Sequence, residues 1–265
     1  MSGERIMEET PPRIGCVPYL NARPLLEGLT YPVRELVPSA LIEEFQAGEL
    51  DAALLSSIDV ISMTDPEVVD GVAIGSRGDV HSVILAYEGA LQGIQRVTLD
   101  PASHTSNALL QIILSEFHGI NPEYVQLTDL GVKVPQDLLP RLLIGDPAIA
   151  FRNRTSGSEV QFLDLGGEWY RHTGLPFVFA VWSLRKEYTN KKELSQMLWE
   201  AKASGLSNLS KIADRDPDPA FALHYLSESI RFDLGAEEKR GLRLFSKYLE
   251  EYNINLSPSK EITYF

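Results

Sequence analysis

A single cysteine, Cys16, in 265 residues excludes an internal disulfide framework and a cysteine-based metal centre. Because Cys16 sits inside an apolar run, it reads as a small core residue rather than a nucleophile. Basic residues are scarce: 24 Lys and Arg stand against 37 Asp and Glu, a formal net charge of -13, which argues against nucleic acid or an anionic membrane surface as partner. No apolar run is long enough to span a bilayer, and Met1 to Arg13 are acidic and polar, so the expected location is the cytoplasm. There is no G-x-x-x-x-G-K-[ST] loop, G-x-G-x-x-G fingerprint, H-E-x-x-H pair or G-x-S-x-G elbow, and nucleotide, zinc and serine-hydrolase readings lose support with them. The five histidines are scattered. His104 and His172 lie near predicted strand ends, but with no ligand set or triad beside them in sequence they read as surface or packing residues, and no metal site is expected.

What is present is an α/β pattern with 44% hydrophobic residues, enough for real cores. The stretch from Arg13 to Leu26 starts as a short apolar strand, breaks at Pro18, and resumes as a helix start with Pro24 at an early position. That arrangement displays Tyr19, Asn21 and Arg23 at the carboxyl end of a strand, where open α/β sheets bind ligands. Asn21 alternatively closes a turn by local hydrogen bonding. Further along, Ser39 to Leu50 has the periodicity of an amphipathic helix, and Asp51 to Leu55 reads as a buried strand ending in Ser56 and Ser57. Val72–Gly75 and Ser82–Tyr87 read as strands joined through Ser76-Arg77-Gly78-Asp79.

Arg96–Asp100 opens a new βα unit whose helix Thr105 or Ser106 would cap; a helix start carrying hydroxyls suits a carboxylate or phosphate, and equally an ordinary N-cap. Strands follow at Tyr124–Leu127, at Arg141–Asp146, ending in an acid, and at Val160–Leu165, with a short aromatic helix around Trp169 and Tyr170. Phe177–Trp182 is an unbroken apolar strand, and from Lys191 the pattern is helical. The predicted organisation is two α/β lobes: residues 1–93 with 178–265 as one, 94–177 inserted as the second, and Glu88–Gly93 and Leu175–Pro176 as the crossovers. A ligand would sit between lobes that close by hinge motion. Asn21, Ser56, Ser57, Arg77, Ser82, Thr105 and Ser106 supply an amide, hydroxyls and a cation at loop positions. Each charge-assisted bond from such groups contributes roughly 1.5 to 3 kcal/mol, so a few can hold a small dianion.

Together these motifs resemble the chorismate dehydratase family of the futalosine route to menaquinone. Val17-Pro18-Tyr19-Leu20-Asn21 with Arg23-Pro24-Leu25 is similar to that family's opening S-Y-L-N-x-x-P-L, with Pro18 where serine is usual. Gly48 to Ser57, Gly75-Ser76-Arg77-Gly78 with Val80, Ser82 and Val83, Leu99-Asp100 with Ser103, Thr105 and Ser106, Ile144-Gly145-Asp146, and Trp169 with Thr173 to Ala180 extend the likeness over Arg13 to Trp182. The resemblance implies a type II periplasmic-binding-protein-like fold with a helical C-terminal segment. It also implies a hydro-lyase that converts chorismate, a dianion, to 3-[(1-carboxyvinyl)oxy]benzoate without a cofactor. It further implies carboxylate binding by Ser56, Ser57, Thr105 and Ser106, and a cleft lined by Tyr19, Arg77 and Ser82. Arg77 alternatively lies on the lobe surface. The expected role of Asn21 is to orient the substrate so that its enolpyruvyl carboxylate takes the proton itself; Asp146 is the protein-side alternative for the base, or a hinge or cap residue.

Two rivals are a sister enzyme that cyclises a futalosine derivative to a naphthoate, and a binding protein for a small anion. The first opens with S-P-C-P-N-D-T and carries a histidine at the strand matching Ile144-Gly145-Asp146; neither feature is here. The transport form of the second would need an export signal.

Overall fold

Two β-sheets, each flanked by helices, meet along one edge. The computed structural model describes residues 11–126, 138–254 and 261–265; Met1 to Thr10 of the acidic opening stretch and Leu127 lie outside them. The strands are β1 (Ile14–Cys16), β2 (Val33–Glu35), β3 (Ala52–Ser56), β4 (Glu67–Ser76), β5 (Val83–Tyr87), β6 (Arg96–Leu99), β7 (Glu123–Gln126), β8 (Arg141–Ile144), β9 (Gln161–Asp164), β10 (Phe177–Leu184) and β11 (Thr263–Tyr264). The helices are α1 (Pro38–Gln46), α2 (Ser57–Ser62), α3 (His104–Ile112), α4 (Gly145–Arg154), α5 (Leu165–Thr173), α6 (Lys191–Ser207), α7 (Leu209–Ala213), α8 (Pro219–His224) and α9 (Ala236–Glu251).

The first sheet has the order β11-β4-β10-β3-β1-β2, and the second β7-β6-β8-β5-β9. In the first, β1 runs parallel to β2 and β3, while β10 is antiparallel to both β3 and β4. In the second, β6 is parallel to β7 and β8, and β5 is antiparallel to β8 and β9. This mixed pairing brings the ends of β1, β3 and β4 and the start of β10 to one edge. The ends of β6, β8 and β9 and the start of β5 form the facing edge.

The chain crosses between sheets twice, and the first crossing differs from the expected one. Val83–Tyr87 belongs to the second sheet, so the change of sheet falls between Ser76 and Val83 rather than at Glu88–Gly93. The physical reason is that all five residues of β5 are buried, and a fully apolar strand carries no mark of which sheet it joins. The chain returns to the first sheet with β10, after Leu175–Pro176.

Behind that return, Trp169 of α5, Phe177 of β10 and Phe245 of α9 pack edge to face with centroids 5.0–6.1 Å apart. The helical tail thus buries the second crossing instead of forming a separate unit. Gly241 permits it: a Cβ there would lie 2.1 Å from the Pro176 carbonyl oxygen.

At the opposite end of the first sheet, Asp51 accepts from the Arg13 backbone N–H, from Arg13 Nε and Nη2 (each 3.0 Å), and from Arg185 Nη2 (2.8 Å). One buried carboxylate therefore joins the starts of β1 and β3 to the end of β10. Burial by itself pushes its pKa up, but the Arg13 hydrogen bonds and the Arg13 and Arg185 charges outweigh that and hold it below the usual value. Its stabilising contribution is present above the ordinary carboxylate pKa, about 4, and is lost as pH falls through the depressed value. Asp51→Ala is expected to lower unfolding free energy by about 2 kcal/mol at neutral pH. In urea titrations the difference from the parent should shrink below about pH 4.

Candidate active site

At the first edge, β1 runs through Val17 and Pro18 to Tyr19, extended at φ -89°, and then into one short 3-10 helix, Leu20–Leu25. This is 3-10 rather than the expected α-helix start; Pro24 lies inside so short a piece, and the tighter turn suits it. Leu20, Ala22, Pro24 and Leu25 are buried, which leaves Asn21 and Arg23 on the other side. Arg23 pairs with Asp216 at 3.4 Å.

Across the edge, Gly145 sits at φ +61° with its backbone N–H donating to the Ser82 carbonyl (2.7 Å). A Cβ on Gly145 would come within 3.0–3.1 Å of three Tyr19 ring atoms, so only glycine lets the second sheet rest against that ring. The turn at Gly145 also ends β8, and Asp146 therefore lies in the first turn of α4 rather than at the end of a strand. Asp146 Oδ1 accepts the Leu20 backbone N–H at 3.0 Å, linking the two edges. Burial raises its pKa against the opposing effects of that hydrogen bond and of Arg23.

Asn21 and Ser82 meet through Tyr225, which the sequence reading missed. The fully buried Tyr225 phenol donates to Ser82 Oγ at 2.7 Å, and nearby Asn21 lowers the phenol's pKa against the larger effect of burial. Asn21 Oδ1 is buried with no hydrogen-bond partner in the protein. Desolvation pushes the Tyr225 hydroxyl far above the ordinary phenol range, so it stays protonated. Tyr225 opens a π-helical segment, Tyr225–Ser229, after α8. Such segments recur at functional sites, but in sequence Tyr225 has only the periodicity of a core residue.

A second group lies where the starts of α2 and α3 face each other. Ser56 Oγ donates to Asp59 (2.6 Å) and Ser57 Oγ to the Val178 carbonyl (2.5 Å). Thr105 Oγ1 accepts the Ile58 backbone N–H at 3.0 Å, and His104 Nδ1 lies 2.9 Å from Asp59. The cap of α3 is Ser103, whose Oγ accepts the Ser106 N–H, so Thr105 and Ser106 occupy the first turn instead of capping it. Ser103 was the better placed of three neighbouring hydroxyls because its backbone is extended. Ser103 and Ser106 also share a hydroxyl bond at 2.8 Å.

Asp100, at the end of β6, has its pKa raised by burial and, with Asp146, acts on Tyr19. The structure thus brings Tyr19, Asn21, Ser82 and Asp146 together around Tyr225, and Ser56, Ser57, Thr105 and Ser106 together at two helix starts. Arg77 joins neither: it is exposed, with Nε 3.2 Å from the Tyr170 hydroxyl and Nη2 3.2 Å from Glu237.

The profile of the menaquinone biosynthesis family matches residues 12–251. The chain is 33% identical over 260 residues to the chorismate dehydratase of Thermus thermophilus, covering 89% of this chain and 94% of that one. It is 26% identical over 242 residues to the chorismate dehydratase of Campylobacter jejuni, covering 89% and 92%. A solved protein from Archaeoglobus fulgidus shares the fold at TM-score 0.72 and 14% identity, covering 92% of this chain and 98% of that one. The periplasmic aliphatic sulphonate binding protein of Escherichia coli does so at TM-score 0.59 and 16% identity, covering 97% and 94%. The architecture is therefore periplasmic-binding-protein-like, and among the described residues no helix is long and apolar enough to cross a membrane. Matched along nearly its whole length, the chain belongs to the menaquinone biosynthesis family, beside the chorismate dehydratases of Thermus thermophilus and Campylobacter jejuni.

Proposed function

We infer that this protein is a hydro-lyase that removes water from chorismate to give 3-[(1-carboxyvinyl)oxy]benzoate on the futalosine route to menaquinone, without a cofactor. The geometric observation that carries the reading is Asn21, whose buried Oδ1 has no hydrogen-bond partner in the protein, in the short helix that follows Tyr19 where the two sheets meet. The lone, buried and unpaired Cys16 accords with a cytoplasmic enzyme.

The substrate dictates the rest of the chemistry. The proton on the ether-bearing ring carbon is acidified through the diene by the ring carboxylate. Its loss gives a delocalised anion, which expels the neighbouring hydroxyl and becomes aromatic. Hydrogen-bond donors around the ring carboxylate stabilise that anion. Ether and hydroxyl are trans, so the departing hydrogen and hydroxyl share one face, and one base can take the proton and return it to the leaving oxygen as water.

In this proposal Asn21 positions the enolpyruvyl group so that its own carboxylate is the base. Ser56, Ser57, Thr105 and Ser106 take the carboxylates from the two lobes, and Tyr19 and Ser82 line the ring. The facing starts of α2 and α3 support that assignment, because the four hydroxyls converge there. Asp146 remains the protein-side candidate for the base, since burial raises its pKa. Its Oδ1 bond to the Leu20 N–H supports a bridging role instead. Arg77 is assigned to holding the first crossover, supported by its bonds to Tyr170 and Glu237.

Followed by loss of the chorismate diene absorbance, Asn21→Ala should lower turnover by about 10²-fold. Asp146→Asn, which keeps an acceptor for Leu20, should stay within about tenfold of the parent. The reverse order would make Asp146 the base.

The His104–Asp59 pair spans the lobes and adds a pH dependence. The hydrogen bond to Asp59 raises the His104 pKa above 6.5, against partial desolvation. Its contribution is complete below 6.5 and disappears as pH rises through the raised value. The parent should therefore melt at a higher temperature than His104→Gln near about pH 6, and the two should converge by about pH 9.

A further inference from the structure

His118 follows the π-helical segment Ile113–Phe117, fifty residues before Glu168 in sequence, yet the fold lays its ring on that carboxylate. His118 Nε2 is 2.8 Å from Glu168 Oε2, and His172 Nε2, one turn further along α5, is 3.4 Å from the same oxygen. One ligand atom from each of the three residues lies within 4.8 Å of the other two. We propose that His118, Glu168 and His172 form a binding site for Zn²⁺ on the second lobe.

The ligand chemistry fits. Two imidazoles and one carboxylate make a set that suits zinc and disfavours Mg²⁺ and Ca²⁺, which prefer oxygen. Zinc bonds of about 2.0 to 2.2 Å place tetrahedral neighbours about 3.3 Å apart. The His172–Glu168 spacing already has that value, and the His118–Glu168 pair would open by about 0.5 Å to reach it.

The surroundings hold the ligands as well. Glu168 is buried and bonded by both Arg171 and His118. Arg171 binds Oε1 and leaves Oε2 facing the two rings, and Asp79, 3.5 Å from Arg171, offsets the guanidinium charge. Phe117 stacks on His172 with centroids 4.4 Å apart and planes 4° from parallel, which fixes the ring. Both histidine side chains are partly exposed, so the ion has a route in and solvent can complete its coordination.

The site is distinct from the dehydration machinery. α5 starts at the edge where the sheets meet, with Asp164 accepting the Val80 and His81 N–H groups, and His172 lies about 10 Å along it. Phe117 also touches Tyr248 of α9, so a bound ion would brace the second lobe against the helical tail.

The test is a titration of the full-length protein, stripped of metal, with Zn²⁺ against a competing chromophoric chelator. The expected result is one Zn²⁺ per chain, bound at least tenfold more weakly by both His118→Ala and His172→Ala. His224→Ala, altering an exposed histidine on α8, should bind as the parent does, and millimolar Mg²⁺ should not displace the ion. Circular dichroism identifies any variant that fails to fold. For such a variant His118→Gln or His172→Gln takes its place, judged by the same tenfold criterion. Parent-like affinity in either position's variant, less than half an equivalent bound, or displacement by Mg²⁺ overturns the proposal. Zn²⁺ should also raise the melting temperature of the parent and not of the folded His172 variant; an equal rise in both overturns it too.

Discussion

A fully buried phenol that must keep its hydrogen bonds organises this molecule. Tyr225 comes from the helical tail, Ser82 from the approach to the second sheet and Asn21 from the 3-10 helix after β1; the hydroxyl bonds Ser82, and Asn21 acts on it electrostatically. Leaving such a group unsatisfied costs roughly 1 to 3 kcal/mol, so the tail and the second sheet are bound to one another's placement. The tail is accordingly not an appendage. It carries the residue that bonds Ser82 beside Asn21 and, through α9, covers the second crossing.

The same arrangement reconciles an acidic chain with an anionic substrate. At -13 overall, the protein has no general attraction for a dianion. In the proposed site the attraction is local and made of hydroxyls, an amide and backbone N–H groups at helix starts, whose partial charges act over short distances. Most of the cations nearby are already committed. Arg23 faces Asp216, and Arg77 faces Tyr170 and Glu237. Neutral donors hold a carboxylate without pinning it as an ion pair would, which suits a reaction in which charge moves across a ring.

Much of the fold was legible because burial writes itself as apolar runs: β3 and β10 read as strands, α1 as a helix, and the alternation of the two as an α/β lobe. What escaped was anything set by partners far away in sequence or by a single backbone angle. β5 could not be assigned to a sheet from its own residues. Asp146 moved from strand end to helix start because Gly145 takes a positive φ. Three neighbouring hydroxyls could each have capped α3, and only Ser103 has the extended backbone for it. Tyr225 lies 143 residues from Ser82, and His118 fifty from Glu168, so no local pattern joins them.

The position of β10 has a consequence for how the chain comes off the ribosome. It lies third in the first sheet, between β4 and β3, yet is the tenth strand to be made. The early strands β1 to β4 therefore wait with exposed edges for a partner that arrives more than a hundred residues after β4 ends. The second sheet closes entirely within Val83 to Asp164 and can be finished in the meantime. The lobe that begins the protein is thus the last to be completed, and its nascent edges are the surface a chaperone would be required to shield.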